Sequence, residues 1–467
     1  SFGKYTLRWP TLSEALDLEK DSIEDFDLVI LKDSLLAEAN TIGSTPIDSI
    51  VRHDTLAAKD NLQQKLPTII PEANNAINTD SRAYMAAFYA ALDSASSMPV
   101  RVVHYGDSQI EEDRITNVLR ERWQQQYGGG GVGLIPLHQT IPTRTIRQWL
   151  SINGVVQTVQ GGLKRYLVYG PRSMRLDNDD YGVMGQVAVM DNTVLQGSED
   201  IRLTIEPFSS KHMAHNYFNR VRLLTDSVEG YCQVKGSEEQ YALLPNELIE
   251  IPDSTMQCKI HLKGSGRVYG LSLETAVGVI VDNIPMRGCL GLVFTKIDST
   301  QLSQFYRNEN VTLIIMQFGG NAIPFNEKPT TIESIVRGLR QQVRYIQSCA
   351  PHASILFIGP SDMLTTINGV EQSYPMVAYM DRLLHKMALE EQIAYFSLFR
   401  WMGGNGSMAR WKEIGLAGSD GIHFMRSGAR KAGNAVAEWL VDKAQSDEKQ
   451  SYEVQSTTDE IAKEVEE

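Results

Sequence analysis

The chain has 467 residues, which is more than one hydrophobic core usually supports, so we expect at least two globular units. Hydrophobic residues make up 42% and charged residues 22% of the chain, which excludes collagen-like and low-complexity classes. The formal charge of -13, without a dense basic stripe, argues against a nucleic-acid partner. No apolar run reaches the roughly 20 residues that cross a bilayer, so no transmembrane segment is predicted.

The first part of the chain contains one strand-turn-helix unit. Residues 1–78 show no sustained period, and we interpret them as an irregular lead-in. Apolar residues recur at helical spacing over Ser81–Ser97, and the apolar run Val100–Tyr105 predicts a strand. That strand ends in Gly106-Asp107-Ser108, and a second helix is predicted from Glu111 to Gln126. The acidic residues that open this second helix are explained by the helix dipole.

Two different sequence patterns follow in the rest of the chain. Residues 139–281 contain short runs rich in Val, Ile, Leu and Tyr between Gly, Asn, Asp and Ser, which predicts a β-sandwich. After residue 281 strands alternate with helices, which indicates a parallel sheet covered on both faces. The predicted elements are strands Val311–Met316, Ser354–Ile358 and Ile393–Leu398, and helices Thr331–Ser348, Tyr374–Glu390 and Ser427–Lys443.

These two patterns predict a discontinuous α/β domain. Residues 79–138 and 282–444 would form the α/β domain, and residues 139–281 would form a sandwich inserted after its first βα unit. Residues 445–467 are polar and acidic, and we expect a mobile tail there.

Ser108 is a candidate nucleophile. It follows the first predicted strand directly, at the sheet edge where ligands of open α/β sheets bind and where the next helix would favour negative charge. The alternative is an ordinary Asx or Ser turn that caps a helix.

Asp420-Gly-Ile-His423, in the loop before the last predicted helix, offers a base and an acid. A separation of three residues on an irregular turn lets the carboxylate reach one imidazole nitrogen while the other faces an active site. A helix-capping Asp beside a surface His is the alternative.

Two further turns could supply hydrogen-bond donors for an oxyanion. Gln317-Phe-Gly-Gly-Asn321 follows an apolar strand, so the Asn321 amide could donate at the carboxyl edge of the sheet. Gly288 follows the apolar run Val279–Ile284 and could donate its backbone N–H, although this signal is weak by itself. A simple Asn-containing turn is the alternative for Asn321.

In this order, the four segments resemble the sequence blocks of SGNH (GDSL-like) hydrolases. Gly106-Asp107-Ser108 resembles block one, Gly288 block two, Gly320-Asn321 block three and Asp420-Gly-Ile-His423 block five. The resemblance implies a flavodoxin-like three-layer α/β/α fold in which Ser108 attacks an ester, His423 takes its proton and Asp420 orients the imidazole. It also implies an oxyanion hole formed by the backbone N–H groups of Ser108 and Gly288 and the Asn321 side chain.

Within this class the chain is most similar to bacterial peptidoglycan O-acetylesterases, which carry an inserted carbohydrate-binding-type β-sandwich. The glycine-rich stretch Tyr127–Leu134 and the loop Met402–Trp411 resemble segments of those enzymes, although four consecutive glycines also fit a flexible loop without direct chemistry. Two departures are Gln109 after the nucleophile and Ala322 after Asn321, which put the preference for acyl group and sugar in doubt.

The resemblance implies a serine esterase that removes O-acetyl groups from an envelope polysaccharide such as peptidoglycan through an acyl-serine intermediate. A polysaccharide O-acetyltransferase of the same fold and a non-catalytic carbohydrate-binding envelope protein are the alternatives. We expect a periplasmic or secreted protein whose signal or anchor precedes Ser1, with an O-acetylated glycan as substrate.

No cofactor or metal is expected, because the four cysteines lack the close spacing of metal sites. Cys232 and Cys258 could form a disulfide in an oxidising compartment, and buried thiols are the other possibility.

Overall fold

A computed structural model of the chain describes residues 84–139, 141–157, 163–191, 200–209, 211–324, 326 and 328–440. The predicted lead-in, 1–78, and the predicted tail, 445–467, lie outside the described residues, and so does the beginning of the helix predicted over Ser81–Ser97. Within these ranges every helix is too short or too polar to cross a lipid bilayer.

The strands are β1 (Pro99–Gly106), β2 (Gly133–Ile135), β3 (Ile146–Ile152), β4 (Val155–Val156), β5 (Lys164–Leu167), β6 (Gln186–Met190), β7 (Ile201–Pro207), β8 (Phe218–Thr225), β9 (Glu229–Val234), β10 (Gln240–Leu243), β11 (Leu248–Thr255), β12 (Cys258–Lys263), β13 (Gly266–Glu274), β14 (Gly278–Pro285), β15 (Val311–Gln317), β16 (Ser354–Gly359), β17 (Leu364–Ile367), β18 (Val370–Ser373) and β19 (Ala394–Ser397). The helices are α1 (Ala86–Asp93), α2 (Thr116–Tyr127), α3 (Ser299–Asn308), α4 (Pro329–Cys349), α5 (Val377–Glu390), α6 (Leu398–Met402), α7 (Ser407–Glu413) and α8 (426–440).

Five strands form a parallel sheet in the order β14-β1-β15-β16-β19. Counted along the chain this is the order 2-1-3-4-5, the doubly wound arrangement of flavodoxin-like folds. The residues of these strands are almost all buried, as expected for a sheet covered on both faces. The predicted α/β class with a parallel sheet is therefore confirmed.

Helices cover both faces of this sheet because successive strand residues point to opposite sides. Val102, Leu313 and Ile315 share a hydrophobic cluster with α1, α2 and α8, whereas Ile314 and Met316 share a second cluster with α4 and α5. Helix α4 shows the pattern that produces this layering: proline stands in its first turn, and its buried residues recur at helical spacing.

The segment of the chain that connects β1 and β14 forms two six-stranded antiparallel sheets. Their orders are β10-β9-β12-β7-β3-β4 and β11-β8-β13-β6-β5, and β2 pairs with β13. Side chains of both sheets, such as Leu203 and Leu271, belong to one hydrophobic cluster. The predicted boundary between residues 281 and 282 falls inside β14, which belongs entirely to the parallel sheet.

Cys232 and Cys258 are unbridged thiols in this shared cluster. A hydrogen bond with Cys232, together with burial, raises the pKa of Cys258 well above its ordinary value. Both side chains therefore pack as small core residues.

A buried arginine connects the parallel sheet with the antiparallel part. Arg101 of β1 contacts Asp282 of β14 at 2.8 Å, Glu274 of β13 at 2.7 Å and Glu309 at 3.2 Å, and it also donates to Ser272 at 2.8 Å. Burial alone lowers the pKa of Arg101, but the three carboxylates raise it above its ordinary value. One cation thus holds together strands from both parts of the molecule.

The glycine-rich stretch after α2 passes close to the backbone of β13 and β14. A Cβ atom at Gly131 would lie 2.1 Å from the carbonyl oxygen of Leu273, and one at Gly129 would lie 2.5 Å from the backbone nitrogen of Val279. Only glycine permits such an approach. The stretch is thus packed against the strands, and the interpretation as a flexible loop was wrong.

Candidate active site

Two loops that are distant in the chain meet at the carboxyl edge of the parallel sheet. Ser108, after β1, places its Oγ 2.8 Å from Nε2 of His423. The other ring nitrogen of His423, Nδ1, lies 2.8 Å from Oδ2 of Asp420. A hydroxyl, an imidazole and a carboxylate therefore form a continuous hydrogen-bonded chain, the arrangement that activates a serine hydroxyl for nucleophilic attack.

Asp420 is held by its own loop. Its Oδ1 accepts hydrogen bonds from the backbone N–H groups of Ile422 at 2.9 Å and His423 at 3.1 Å, which leaves Oδ2 for the imidazole. Burial alone raises the pKa of Asp420, but the hydrogen bonds and the charge of His423 lower it to about 2. The carboxylate is thus ionised at neutral pH and can stabilise an imidazolium beside it.

The turn between Asp420 and His423 requires glycine. Gly421 has a φ of 66°, and a Cβ atom there would lie 2.8 Å from the Cβ of Leu364. The Leu364 N–H donates to the carbonyl oxygen of Gly421 at 2.9 Å, and the Gly418 N–H donates to that of His423 at 2.8 Å. These contacts fix the loop against β17 and fold it back on itself.

Asp107, the residue before the nucleophile, is buried beneath the site. Its Oδ1 accepts a hydrogen bond from the Gln109 N–H at 3.0 Å, which shapes the turn that presents Ser108. Burial raises the pKa of Asp107 to about 6. Because the folded state binds this proton more tightly than the unfolded chain, the free energy of unfolding decreases as the pH rises from about 4 through 6.

Replacing Asp107 with Asn should remove this decrease. The Asn side chain keeps an oxygen for the Gln109 N–H and has no charge to bury. The stability of Asp107→Asn relative to the wild type should rise by about 2 kcal/mol between pH 4 and pH 7, measured by urea unfolding. The exposed Asp93→Asn variant serves as the control, and a difference that does not change with pH would contradict the prediction.

Asn321 lies at the same sheet edge and lines a cleft together with Ser108. Its Nδ2 donates to the carbonyl oxygen of Cys289 at 3.2 Å, which leaves the second N–H of the amide for another acceptor. Gly288 immediately precedes Cys289, has a φ of 71°, and belongs to a turn whose Met286 N–H donates to the carbonyl oxygen of Gly106 at 2.7 Å. The structure thus brings both predicted donor segments to the edge where Ser108 lies.

The cleft beside Ser108 is small, with a volume of about 30 Å³. Besides Ser108 and Asn321 it is lined by Pro360, Ser361 and Met363, which follow β16. The sequence analysis did not select this segment. The signal was available, because a Gly-Pro turn directly after a buried parallel strand lies at the carboxyl edge of the sheet.

The acidic run after Ser108 differs from the prediction. Residues Ser108–Asp113 form short 3₁₀ turns, and the α-helix begins only at Thr116. The carboxylates interact with arginines, and the helix dipole does not explain them: the ion pairs are Glu111–Arg287 at 2.5 Å, Glu112–Arg144 at 2.6 Å and Asp113–Arg120 at 2.6 Å. The pairs of Glu111 and Glu112 join residues 176 and 32 positions apart, and such pairs leave no periodic signal in the sequence.

A second cavity, of about 250 Å³, begins at this acidic run. It lies between the end of β14 and the antiparallel sheets and is lined by Glu111, Arg287, Arg165, Tyr169 and Gln186, among others. In the described part of the chain, no three His, Cys, Asp or Glu side chains gather in a way that would hold a metal ion.

Comparison with solved structures identifies the fold. A structure described as a peptidoglycan O-acetylesterase matches with a TM-score of 0.60 and 21% identity, over 79% of this chain and 98% of that one. The match leaves about a fifth of this chain uncovered. Residues 133–274, which contain the antiparallel sheets, make up more than a quarter of the chain, so the match includes part of these sheets. The chain therefore shares the fold of that structure, and its resemblance to peptidoglycan O-acetylesterases is confirmed at the level of the fold.

Other matches are more distant. A carbohydrate acetylesterase from Sinorhizobium meliloti has a TM-score of 0.26 and 16% identity over 35% of this chain and 79% of that one. A salicylyl-acyltransferase from a tetracycline biosynthetic pathway has a TM-score of 0.25 and 11% identity over 51% and 80%. Scores this low support no argument about this chain. No protein-family model matches the sequence, and a search of curated proteins finds no match.

Proposed function

We propose that this protein is a serine esterase that removes O-acetyl groups from an envelope polysaccharide such as peptidoglycan. The observation that carries the proposal is the hydrogen-bonded chain from Ser108 Oγ through His423 to Asp420, with 2.8 Å at each step. The fold shared with a structure described as a peptidoglycan O-acetylesterase supports the choice of an O-acetylated glycan as substrate.

In the proposed acylation step, Ser108 Oγ attacks the ester carbonyl carbon while His423 Nε2 takes the hydroxyl proton. The negative charge that develops on the carbonyl oxygen is stabilised by the N–H groups of Ser108 and Gly288 and by the free N–H of Asn321. The tetrahedral intermediate then collapses, the bond to the sugar oxygen breaks, and that oxygen leaves with the proton from His423. Ser108 now carries the acetyl group.

Deacylation repeats the same sequence with water. His423 takes a proton from the water molecule as the water oxygen attacks the acetyl carbon. The tetrahedral intermediate then collapses, the bond between Ser108 Oγ and the acetyl carbon breaks, Oγ takes the proton from His423, and acetic acid leaves. Asp420 remains ionised throughout, in agreement with its pKa of about 2. The cycle needs no group beyond those of the chain and one water molecule.

The size of the cleft favours a short acyl group. A volume of about 30 Å³ leaves room for about two water molecules, so a small acyl group fits this cleft more easily than a long one. We therefore propose acetyl as the preferred acyl group, and a long acyl chain would have to extend out of the cleft.

The glycan itself would lie toward the larger cavity. That cavity is formed jointly by the end of β14 and the antiparallel sheets, and its arginine, glutamine and tyrosine side chains are suited to sugar hydroxyl groups. We propose that the two sheets are an inserted β-sandwich of carbohydrate-binding type and that the protein works in the cell envelope. The domain boundaries then follow the strands, with β2–β13 in the insert and β14 in the α/β domain.

The proposal is tested with acetyl, butyryl and octanoyl esters of one chromogenic alcohol, together with O-acetylated peptidoglycan. The wild type should turn over acetyl esters fastest and release acetate from the glycan, and Ser108→Ala should lose at least about 10⁴-fold in rate. Faster turnover of octanoyl than acetyl esters would contradict the deacetylase function. Acetyl transfer to added oligosaccharide in preference to water would identify a transferase, and glycan binding by an enzymatically silent wild type would identify a binding protein.

A further inference from the structure

Gln109, the residue after the nucleophile, reaches across to the loop that carries His423. Its Nε2 donates to the carbonyl oxygen of Ile422 at 2.7 Å, and its Oε1 accepts from the Phe424 N–H at 3.5 Å. The two backbone groups stand on either side of His423 in the chain. One side-chain amide therefore binds the residues immediately before and after the imidazole.

The backbone of Gln109, which carries this amide, is itself held by a hydrogen bond. The Gln109 N–H donates to Asp107 Oδ1 at 3.0 Å, so Gln109 belongs to the same short turn that presents Ser108. Arg114 provides a parallel connection, because its Nη1 donates to the carbonyl oxygen of Phe424 at 3.2 Å while its Nε donates to that of Glu111 at 3.0 Å. The segment after β1 is thus joined to the His423 loop by bonds that do not involve the reacting groups.

These bonds matter because the hydrogen bond between Ser108 and His423 does not persist during the reaction. The Ser108–His423 hydrogen bond has to break and re-form in each catalytic cycle, so it cannot fix the distance between the two groups. His423 and Asp420 are also partly exposed, with 31% and 46% of their side-chain surface accessible, so packing alone does not immobilise them. A contact outside the reaction has to keep the imidazole within reach of the hydroxyl.

We propose that Gln109 is a positioning residue that holds the His423 loop against the turn of the nucleophile. This inference rests on the proposed function for its kinetic consequence, and it explains why a long amide stands at this position. A loss of these two hydrogen bonds lets the imidazole drift, and a displacement of about 1 Å can cost on the order of 100-fold in rate.

The test uses Gln109→Met, which keeps the length of the side chain and removes both hydrogen bonds, and Gln109→Asn, which keeps the amide and is too short to span the gap. For an acetyl ester we expect kcat to fall by about 10- to 100-fold in both variants, with KM within about threefold of the wild type. Gln126→Met, on the exposed end of α2, should leave both constants unchanged.

Hydrogen exchange measures the positioning without any substrate. Backbone amides of residues 417–424 should exchange faster in Gln109→Met, while those of β15 and β16 keep the wild-type rates. If kcat stays within twofold, or the loop exchanges as in the wild type, the positioning role is wrong. If KM rises while kcat is kept, Gln109 is a substrate contact, which its place in the wall of the cleft would allow, and the inference is overturned. A wild type without esterase activity would instead refute the proposed function, and the exchange measurement would still decide the positioning role.

Discussion

We expect His423→Ala to lose at least about 10⁴-fold in kcat/KM for an acetyl ester while keeping its fold. The imidazole is the group within hydrogen-bond reach that can take the proton of Ser108 Oγ at the moment of attack, and without it the hydroxyl is a poor nucleophile. The measurement is steady-state hydrolysis of a chromogenic acetyl ester, with circular dichroism to verify folding. His212→Ala, an exposed histidine in the antiparallel part, is the matched control and should be fully active.

The other members of the hydrogen-bonded chain extend this prediction. The double variant Ser108→Ala/His423→Ala should be no slower than either single variant, because the two side chains act as one unit. Asp420→Asn should lose about 10³- to 10⁴-fold, because an amide cannot stabilise the imidazolium and favours the wrong tautomer. Effects that multiply in the double variant, or a His423→Ala variant with more than a tenth of wild-type activity, would show that these residues do not form the catalytic unit.

The largest expected effect on stability comes from Arg101→Met. The substitution leaves Asp282, Glu274 and Glu309 in a buried cluster without the cation that they share. Removing one partner of a buried ion pair typically costs about 3 to 5 kcal/mol, so we expect a loss of at least this size in the free energy of unfolding at pH 7. Urea denaturation measures it.

The pH dependence identifies the cause of this loss. Without the arginine the carboxylates should bind protons more tightly in the folded state than in the unfolded chain, so the destabilisation should shrink as the pH falls toward 4. Arg122→Met serves as the control, because Arg122 pairs with Glu438 at the surface and should change stability by less than about 1 kcal/mol. A loss below 1 kcal/mol for Arg101→Met, or one that is constant between pH 4 and pH 7, would refute the role of the cluster.

Local patterns in the sequence were sufficient for the α/β architecture. The runs Val100–Tyr105, Val311–Met316 and Ser354–Ile358 are mostly apolar, which is typical of strands covered on both faces, and the structure places all three in the parallel sheet. The helix boundary after Ser108 was wrong by five residues because Glu111 and Glu112 bind arginines that are distant in the chain. No local rule predicts a partner that is separated by many residues in the chain.

The parts of the candidate site were likewise visible in the sequence, because each stands in a short turn after a strand or before a helix. Ser108, Asn321 and the Asp420–His423 pair were selected in this way, and the resemblance to SGNH hydrolases ordered them. Gln109 was noticed only as a departure from the usual residue, since its contacts with Ile422 and Phe424 cross more than 300 positions. The role of Gln109 depends on the contact between the nucleophile turn and the His423 loop, which exists only in the folded chain.

The sequence by itself determined the types of element and the reactive groups, because hydrophobic period and turn chemistry are local properties. Only the tertiary structure decided the distances that chemistry needs: 2.8 Å between Ser108 and His423, the small volume of the cleft, and the burial that raises the pKa of Asp107. These quantities arise from contacts between segments far apart in the chain, and they exist only once the parallel sheet has brought its loops to one edge.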